Sequence, residues 1–148
     1  MCRLFGQLSR TPQSALEAMC AAPYSLLPIS SVQMRRAQRD GWGVGWFDAA
    51  GQPRVVKSAR PIFKEPAKAE AAARRAVSRA VIGHVRAASN PKGLPTSAIL
   101  GAVNNQPFSE GSWLFAHNGT LEIPDEVAGL LGPSRDKLRS QNDSEVFF

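Results

Sequence analysis

The residues of this 148-residue chain best suited to chemistry stand at four places: Cys2, Arg86, Asn118-Gly119 and Asp143. Cys2 directly follows the initiator Met, and trimming of that Met would leave a thiol and a free α-amine on one residue. In free peptides such amines titrate at about 7.7–8.0 and thiols at about 8.5, so near neutrality the amine can take the thiol's proton. A nucleophile and its base then need no separate histidine. The Asn118 amide and the Gly119 backbone N–H are two neutral donors suited to a tetrahedral oxyanion. The Arg86 guanidinium can hold a carboxylate bidentately, and Asp143 can hold an ammonium. A substrate with both groups and a distant amide is an α-amino acid amide, of which glutamine is the obvious case. Each residue also has an ordinary use: Cys2 as a chance second residue, Arg86 in an internal ion pair, Asn118-Gly119 as a hairpin turn, and Asp143 as a helix N-cap.

Elements must bring these four places together. The apolar Leu4 and Phe5 suggest a strand over residues 3–8 that runs from Cys2 straight into a core. Thr11-Pro12 reads as the N-cap and first position of a helix, with Ala15, Leu16, Met19 and Cys20 on one face. Pro23 to Pro28 breaks it, and residues 29–40 are a polar, basic surface segment. In 42–47 glycines alternate with large residues, the pattern of a strand that something approaches closely. A turn at 48–51 and a strand at 53–58 complete a hairpin. Glu65-Pro66 opens a helix expected to reach Arg79, with Ala69, Ala72, Ala73 and Ala76 on a face small enough to lie close on a sheet. Residues 81–86 form a buried strand ending in Arg86, and a long loop follows to Asn105. Residues 113–117 form another strand, 124–131 a short helix, and 142–145 cap a helix that begins at Val146.

Composition narrows the classes. The chain is 43% hydrophobic, enough for one domain with a real core. The net charge of +6 draws on clusters at Arg35-Arg36-Arg39 and Arg74-Arg75-Arg79, but the basic runs have no interleaved aromatics, which argues against nucleic acid. Two cysteines, Cys2 and Cys20, make no disulfide framework, and two histidines, His84 and His117, are too few for a zinc site. No apolar run is long enough to cross a membrane, and Arg3 and Gly6 interrupt any signal peptide. The chain reads as a soluble cytoplasmic protein that needs no metal or other cofactor.

Six motifs, in order along the whole chain, carry a resemblance: Cys2-Arg3-Leu4-Phe5-Gly6, Asp40-Gly41-Trp42-Gly43, Gly83-His84-Val85-Arg86-Ala87, Asn105-Gln106-Pro107-Phe108, His117-Asn118-Gly119-Thr120 and Asn142-Asp143-Ser144-Glu145. Together they resemble a class II glutamine amidotransferase, the N-terminal-nucleophile hydrolase type. The resemblance is to its small stand-alone branch, with the γ-glutamyl amide hydrolases of glutathione and ergothioneine metabolism. It implies an α+β fold, a four-layer αββα sandwich with the active site at the strand ends, over a domain spanning 1–148. It implies Cys2 as nucleophile, Asn118 and Gly119 as oxyanion hole, Arg86 as carboxylate binder and Asp143 as amino-group binder. The reaction implied is hydrolysis of glutamine or a γ-glutamyl compound through a Cys2 thioester, with release of ammonia or an amine. The partners implied are the small-molecule substrate and an ammonia-accepting synthetase or a second copy. The alternative is a non-catalytic glutamine-binding or regulatory subunit.

Many relatives have an aromatic after the Arg and a His before the Pro-Phe, where this chain has Ala87 and Gln106. The pocket wall therefore differs, with room for a bulkier γ-glutamyl compound. About five strands and three or four helices are too few for four layers. The expectation is an N-terminal part of a longer protein, its sandwich incomplete at the C-terminus.

Overall fold

The computed structural model describes residues 1–32 and 37–148. Part of the 29–40 segment, with Arg35 and Arg36 of the basic cluster, lies outside the described residues. Strand β1 (Arg3–Ser14) pairs antiparallel with β4 (Val77–Val85), from Arg3↔Val85 to Leu8↔Ala80 and then from Gln13↔Ser78 to Ser14↔Val77. Thr11-Pro12 falls in the irregularity between those two ladders and does not open a helix. The N–H that Pro12 lacks is not needed there, so the chain stays extended to Ser14. Ser14 then stops the strand: its hydroxyl accepts from Leu16 N–H at 3.1 Å and donates to the Ala73 carbonyl at 3.1 Å. A helical turn, Glu17–Ala21, follows. The expected apolar face survives this shift, with Ala15 and Met19 buried and Leu16 and Cys20 packed against the core. Burial first, and then Glu70, push the Cys20 thiol up to about 11, which suits a core residue and not a nucleophile.

Strands β2 (Trp42–Phe47) and β3 (Pro53–Ser58) form the expected hairpin, in register from Trp42↔Ser58 to Phe47↔Pro53. Asp48 sets its turn, because Oδ1 accepts from the N–H groups of Ala50 and Gln52, each at 2.9 Å. β2 also pairs with β4, so the sheet order is β1-β4-β2-β3, antiparallel throughout.

Helix α1 (Leu26–Ile29) and helix α2 (Pro66–Arg75) cover one face of this sheet with the 17–21 turn, over Trp42, Val44, Trp46, Val81 and Val85. Ala69, Ala72, Ala73 and Ala76 are all buried, as the small face of the sequence suggested. α2 stops short of Arg79 because Val77 and Ser78 are drawn into the ladder opposite Ser14 and Gln13. Phe5 lies on this side, against Gly83. Leu4 does not enter the core: it sits on the opposite face and is 40% exposed.

That opposite face receives a second sheet, β5 (Phe108–Glu110) and β6 (Trp113–Phe115), paired from Phe108↔Phe115 to Glu110↔Trp113. The glycines of β2 alternate with its buried tryptophans and so point this way. A Cβ on Gly43 would lie 2.3 Å from the Gln106 carbonyl oxygen, and one on Gly45 3.1 Å from a Leu114 methyl. The close approach read from the alternation is therefore the second sheet. Since β6 pairs with the strand before it, Asn118-Gly119 is not a hairpin turn. Helix α3 (Thr96–Ile99) interrupts the long loop, and helix α4 (Pro124–Gly129) and a turn at Asp143–Phe147 follow the second sheet. The last turn begins at Asp143, three residues before the expected start. The architecture is α+β, with antiparallel sheets and few helices. Among the described residues no helix is long and apolar enough to cross a membrane.

Candidate active site

The pairing of Arg3 with Val85 fixes the site, because the next residue on each strand, Cys2 and Arg86, leaves the same end of the sheet. The half-buried Cys2 Sγ rests on the Ala87 peptide. Ala87 N–H donates to it at 3.3 Å, and the thiol donates to the Ala87 carbonyl at 3.4 Å. Asn118 reaches in from the exposed loop after β6, its Nδ2 donating to the Cys2 carbonyl at 3.4 Å.

Arg86 is 4% exposed. Its backbone N–H donates to the Gly41 carbonyl at 2.8 Å, and Nη1 donates to the Ile99 carbonyl at 2.6 Å. Burial pulls the guanidinium below its usual range, while Cys2, Asp40 and Asp143 pull it back up. Among the described residues no carboxylate forms an ion pair with it, so the internal ion-pair reading is not the one realised. Asp143 is buried, and its Oδ2 accepts from Leu121 N–H at 2.6 Å. The N-cap of the last turn is Asn142, whose Oδ1 accepts from Ser144 N–H at 2.9 Å, so Asp143 is not spent on capping. Cys2, Arg86, Asn118 and Asp143 thus converge on one end of the first sheet. Gly119 follows Asn118 on the same loop, where a Cβ would lie 2.6 Å from His117 Nε2.

The sequence reading gave no site role to Asp40, His84, His117 or Ser144, and took Gln106 only as a change in the pocket wall. Asp40 brackets the strand end: its Oδ2 accepts from Ala88 N–H at 2.7 Å and its own N–H donates to the Arg86 carbonyl at 3.1 Å. His84, two residues before Arg86 on the same face of β4, is fully buried. Burial first, then Arg86 and His117, push it down to about 4, so it is neutral. Gln106 accepts through Oε1 from His117 N–H, and the His117 ring Nδ1 lies 3.0 Å from Ser144 Oγ. The signals available in the sequence were the departure at Gln106 and the place of His117 beside Asn118-Gly119.

Among the described residues no group of three or more His, Cys, Asp or Glu is arranged to hold a metal ion. A cavity of about 750 Å³ opens elsewhere, lined by Lys57, Phe108, Leu131, Arg139, Glu145 and Phe148 but not by Cys2. Burial pulls the Lys57 amine down to about 8, and its Nζ lies 4.9 Å from the Phe108 ring centre. The convergence of the Cys2 thiol with Arg86, Asn118 and Asp143, not the size of a cavity, marks the candidate site.

An antiparallel α+β scaffold with a cysteine at the head of its first strand is consistent with the class II glutamine amidotransferases, and the chain belongs to that class, matched over residues 1–148. Among individual relatives, the γ-glutamyl-hercynylcysteine sulfoxide hydrolase of Mycolicibacterium smegmatis is 34% identical over 127 residues, 82% of this chain and 52% of that protein. Proteins of the same name from two Mycobacterium tuberculosis strains are 34% identical over 128 residues, 82% of this chain and 50% of each. The chain spans about half the length of the curated relatives it matches.

Proposed function

We propose that this chain carries the catalytic residues for hydrolysis of a γ-glutamyl amide through a thioester on Cys2. Trimming of Met1 frees the Cys2 α-amine, which takes the thiol's proton directly or through a water. The sulfur attacks the γ-carbonyl carbon, and the oxyanion is stabilised by Asn118 Nδ2 and the Gly119 N–H. Collapse breaks the C–N bond, and the amine leaves with the proton held at the N-terminus. Water then attacks the thioester, releasing the γ-carboxylate and restoring the thiol. Arg86 holds the substrate α-carboxylate and Asp143 its α-ammonium. The two sheets are the inner pair of the αββα sandwich, with α1 and α2 forming one outer layer.

The observation that carries this reading is the convergence of Cys2, Arg86, Asn118 and Asp143 at one sheet end. The small Ala87 against the sulfur and the names of the relatives favour a leaving amine larger than ammonia. Glutamine itself would release ammonia, to solvent or to an accepting partner. The test pairs mass spectrometry of the mature N-terminus with turnover of glutamine and of a γ-glutamyl anilide. Trimmed protein should be active, while Cys2→Ala and protein retaining Met1 should be inactive. Turnover by Met1-bearing protein at the rate of trimmed protein would sink the terminal-amine mechanism. Binding of glutamine by trimmed protein without turnover of either substrate would favour a regulatory glutamine-binding role.

A further inference from the structure

The loop that carries the two oxyanion donors is tied at both ends to one short turn. Before Asn118, the His117 ring meets Ser144 Oγ at 3.0 Å; after Gly119, Leu121 N–H donates to Asp143 Oδ2 at 2.6 Å. Residues 118–119 are thus slung between bonds to the adjacent residues 143 and 144. That turn is fixed from behind, since Asn142 Nδ2 donates to the Asn104 carbonyl at 2.7 Å and Asn142 Oδ1 receives Ser144 N–H. The His117 backbone is held separately by Gln106, which is 3% exposed and whose own carbonyl is pressed over Gly43. The ring also meets Phe147 edge-on, with centroids 5.4 Å apart and planes at 70°. Its Nε2 and Cε1 stand 2.6 and 2.7 Å from where a Gly119 Cβ would be, so the ring abuts the backbone that bears an oxyanion N–H.

We propose that His117 is a positioning residue that couples the amino-group subsite to the oxyanion hole, with Ser144 as the link and Gln106 as the anchor. The inference rests on the roles given above to Asp143, Asn118 and Gly119. An ammonium drawn to Asp143 settles the 143–144 turn, Ser144 passes that placement to the His117 ring, and the ring sets Gly119. A substrate without the α-amino group is then bound more weakly and also turned over more slowly once bound, although the missing group is remote from the reacting carbonyl.

The test compares γ-glutamyl-p-nitroanilide with glutaryl-p-nitroanilide, which differs only in lacking the amine. The wild-type protein should show a lower kcat as well as a higher KM for the glutaryl compound. Ser144→Ala should lower kcat on the γ-glutamyl compound about fivefold to tenfold, the effect of losing one hydrogen bond, and bring the two kcat values together while the KM difference stays. Ser144→Thr, which keeps the hydroxyl, should restore the wild-type pattern. Equal wild-type kcat values on the two compounds, or an unchanged kcat ratio in Ser144→Ala, would overturn the coupling. A readout without turnover separates this from failure of the proposed function. In ¹H–¹⁵N spectra Ser144→Ala should displace the Gly119 amide resonance, and an unmoved resonance also overturns the coupling. Wild-type protein inactive on both compounds counts instead against the hydrolase reading, and the spectra still decide the coupling.

Discussion

Gly43→Ala tests how the two sheets hold the site. The added methyl should contribute about 0.8 kcal/mol by burial, and loss of glycine's freedom in the unfolded chain about 0.5–1 kcal/mol. Against this, the Cβ would stand 2.3 Å from the Gln106 carbonyl oxygen and 3.2 Å from Pro107 Cδ. The carbonyl is backbone and must retreat by about 1 Å to reach ordinary contact. Overpacking in a core costs about 1–3 kcal/mol where side chains yield, and more where backbone must move. The net expectation is a loss of about 2 kcal/mol, a fall of about 4–8 °C in melting temperature for a chain of this size. Gly45→Ala is the internal control. Its Cβ meets Leu114 methyls at 3.1 and 3.4 Å and Pro107 Cγ at 3.2 Å, mostly a side chain that can turn away, so it should melt close to wild type. Gln106 also anchors His117, so Gly43→Ala should lower kcat more than it raises KM. Thermal melts by circular dichroism and steady-state kinetics on the three proteins decide it. Equal melting of the two variants would refute the view that the carbonyl over Gly43 sets the sheet spacing.

Arg86→Ala should mainly raise KM, since a carboxylate far from the reacting carbonyl is held alike in ground and transition states. Asn118→Ala should mainly lower kcat, by about 10²–10³-fold, and the reverse pattern in kinetics of the pair would mean the roles are exchanged. Gly119→Ala should drive the His117 ring off Ser144, lowering kcat with little change in melting because the loop is exposed; since alanine keeps the backbone N–H, unchanged kcat would count against the ring's hold on Gly119. His84 stands at about 4 in the folded chain, against an ordinary value of 6.5. Between those values the unfolded chain binds more protons, so stability should fall as pH drops from 6.5 toward 4, by up to about 3 kcal/mol. His84→Gln should flatten that dependence in melts across the same pH range, and an unchanged slope would show that other groups carry it.

What the sequence disclosed depended on how local the signal was. The 42–47 and 53–58 hairpin matches because Asp48 and Gly51 set the turn within a few residues. The alanine face of α2 is legible for the same reason. The end of α2 is not, since residues 74–79 favour a helix by themselves and only pairing with Gln13 and Ser14 draws Val77 and Ser78 into a strand. Thr11-Pro12 misled because a cap followed by proline looks the same in a strand irregularity as at a helix start. β5 is three residues long, too short to show alternation. Cys2, Arg86, Asn118 and Asp143 were singled out by motif chemistry, and the structure brings them to one sheet end. His84 and Ser144 were not, and Gln106 was read only as a change in the pocket wall, because their contacts join segments far apart along the chain.

The pairing of β1 with β4 also sets a timetable. Val85 leaves the ribosome about 80 residues after Arg3, so the first residues have no ladder to join for roughly 4–16 s of synthesis. In the folded chain the Met1 carbonyl accepts from Gln38 Nε2 at 3.0 Å, which secures the bond that must be cut to free the Cys2 amine. Met1 itself is 86% exposed, so once the sheet has closed a processing peptidase still meets the bond, with the Gln38 contact to displace first.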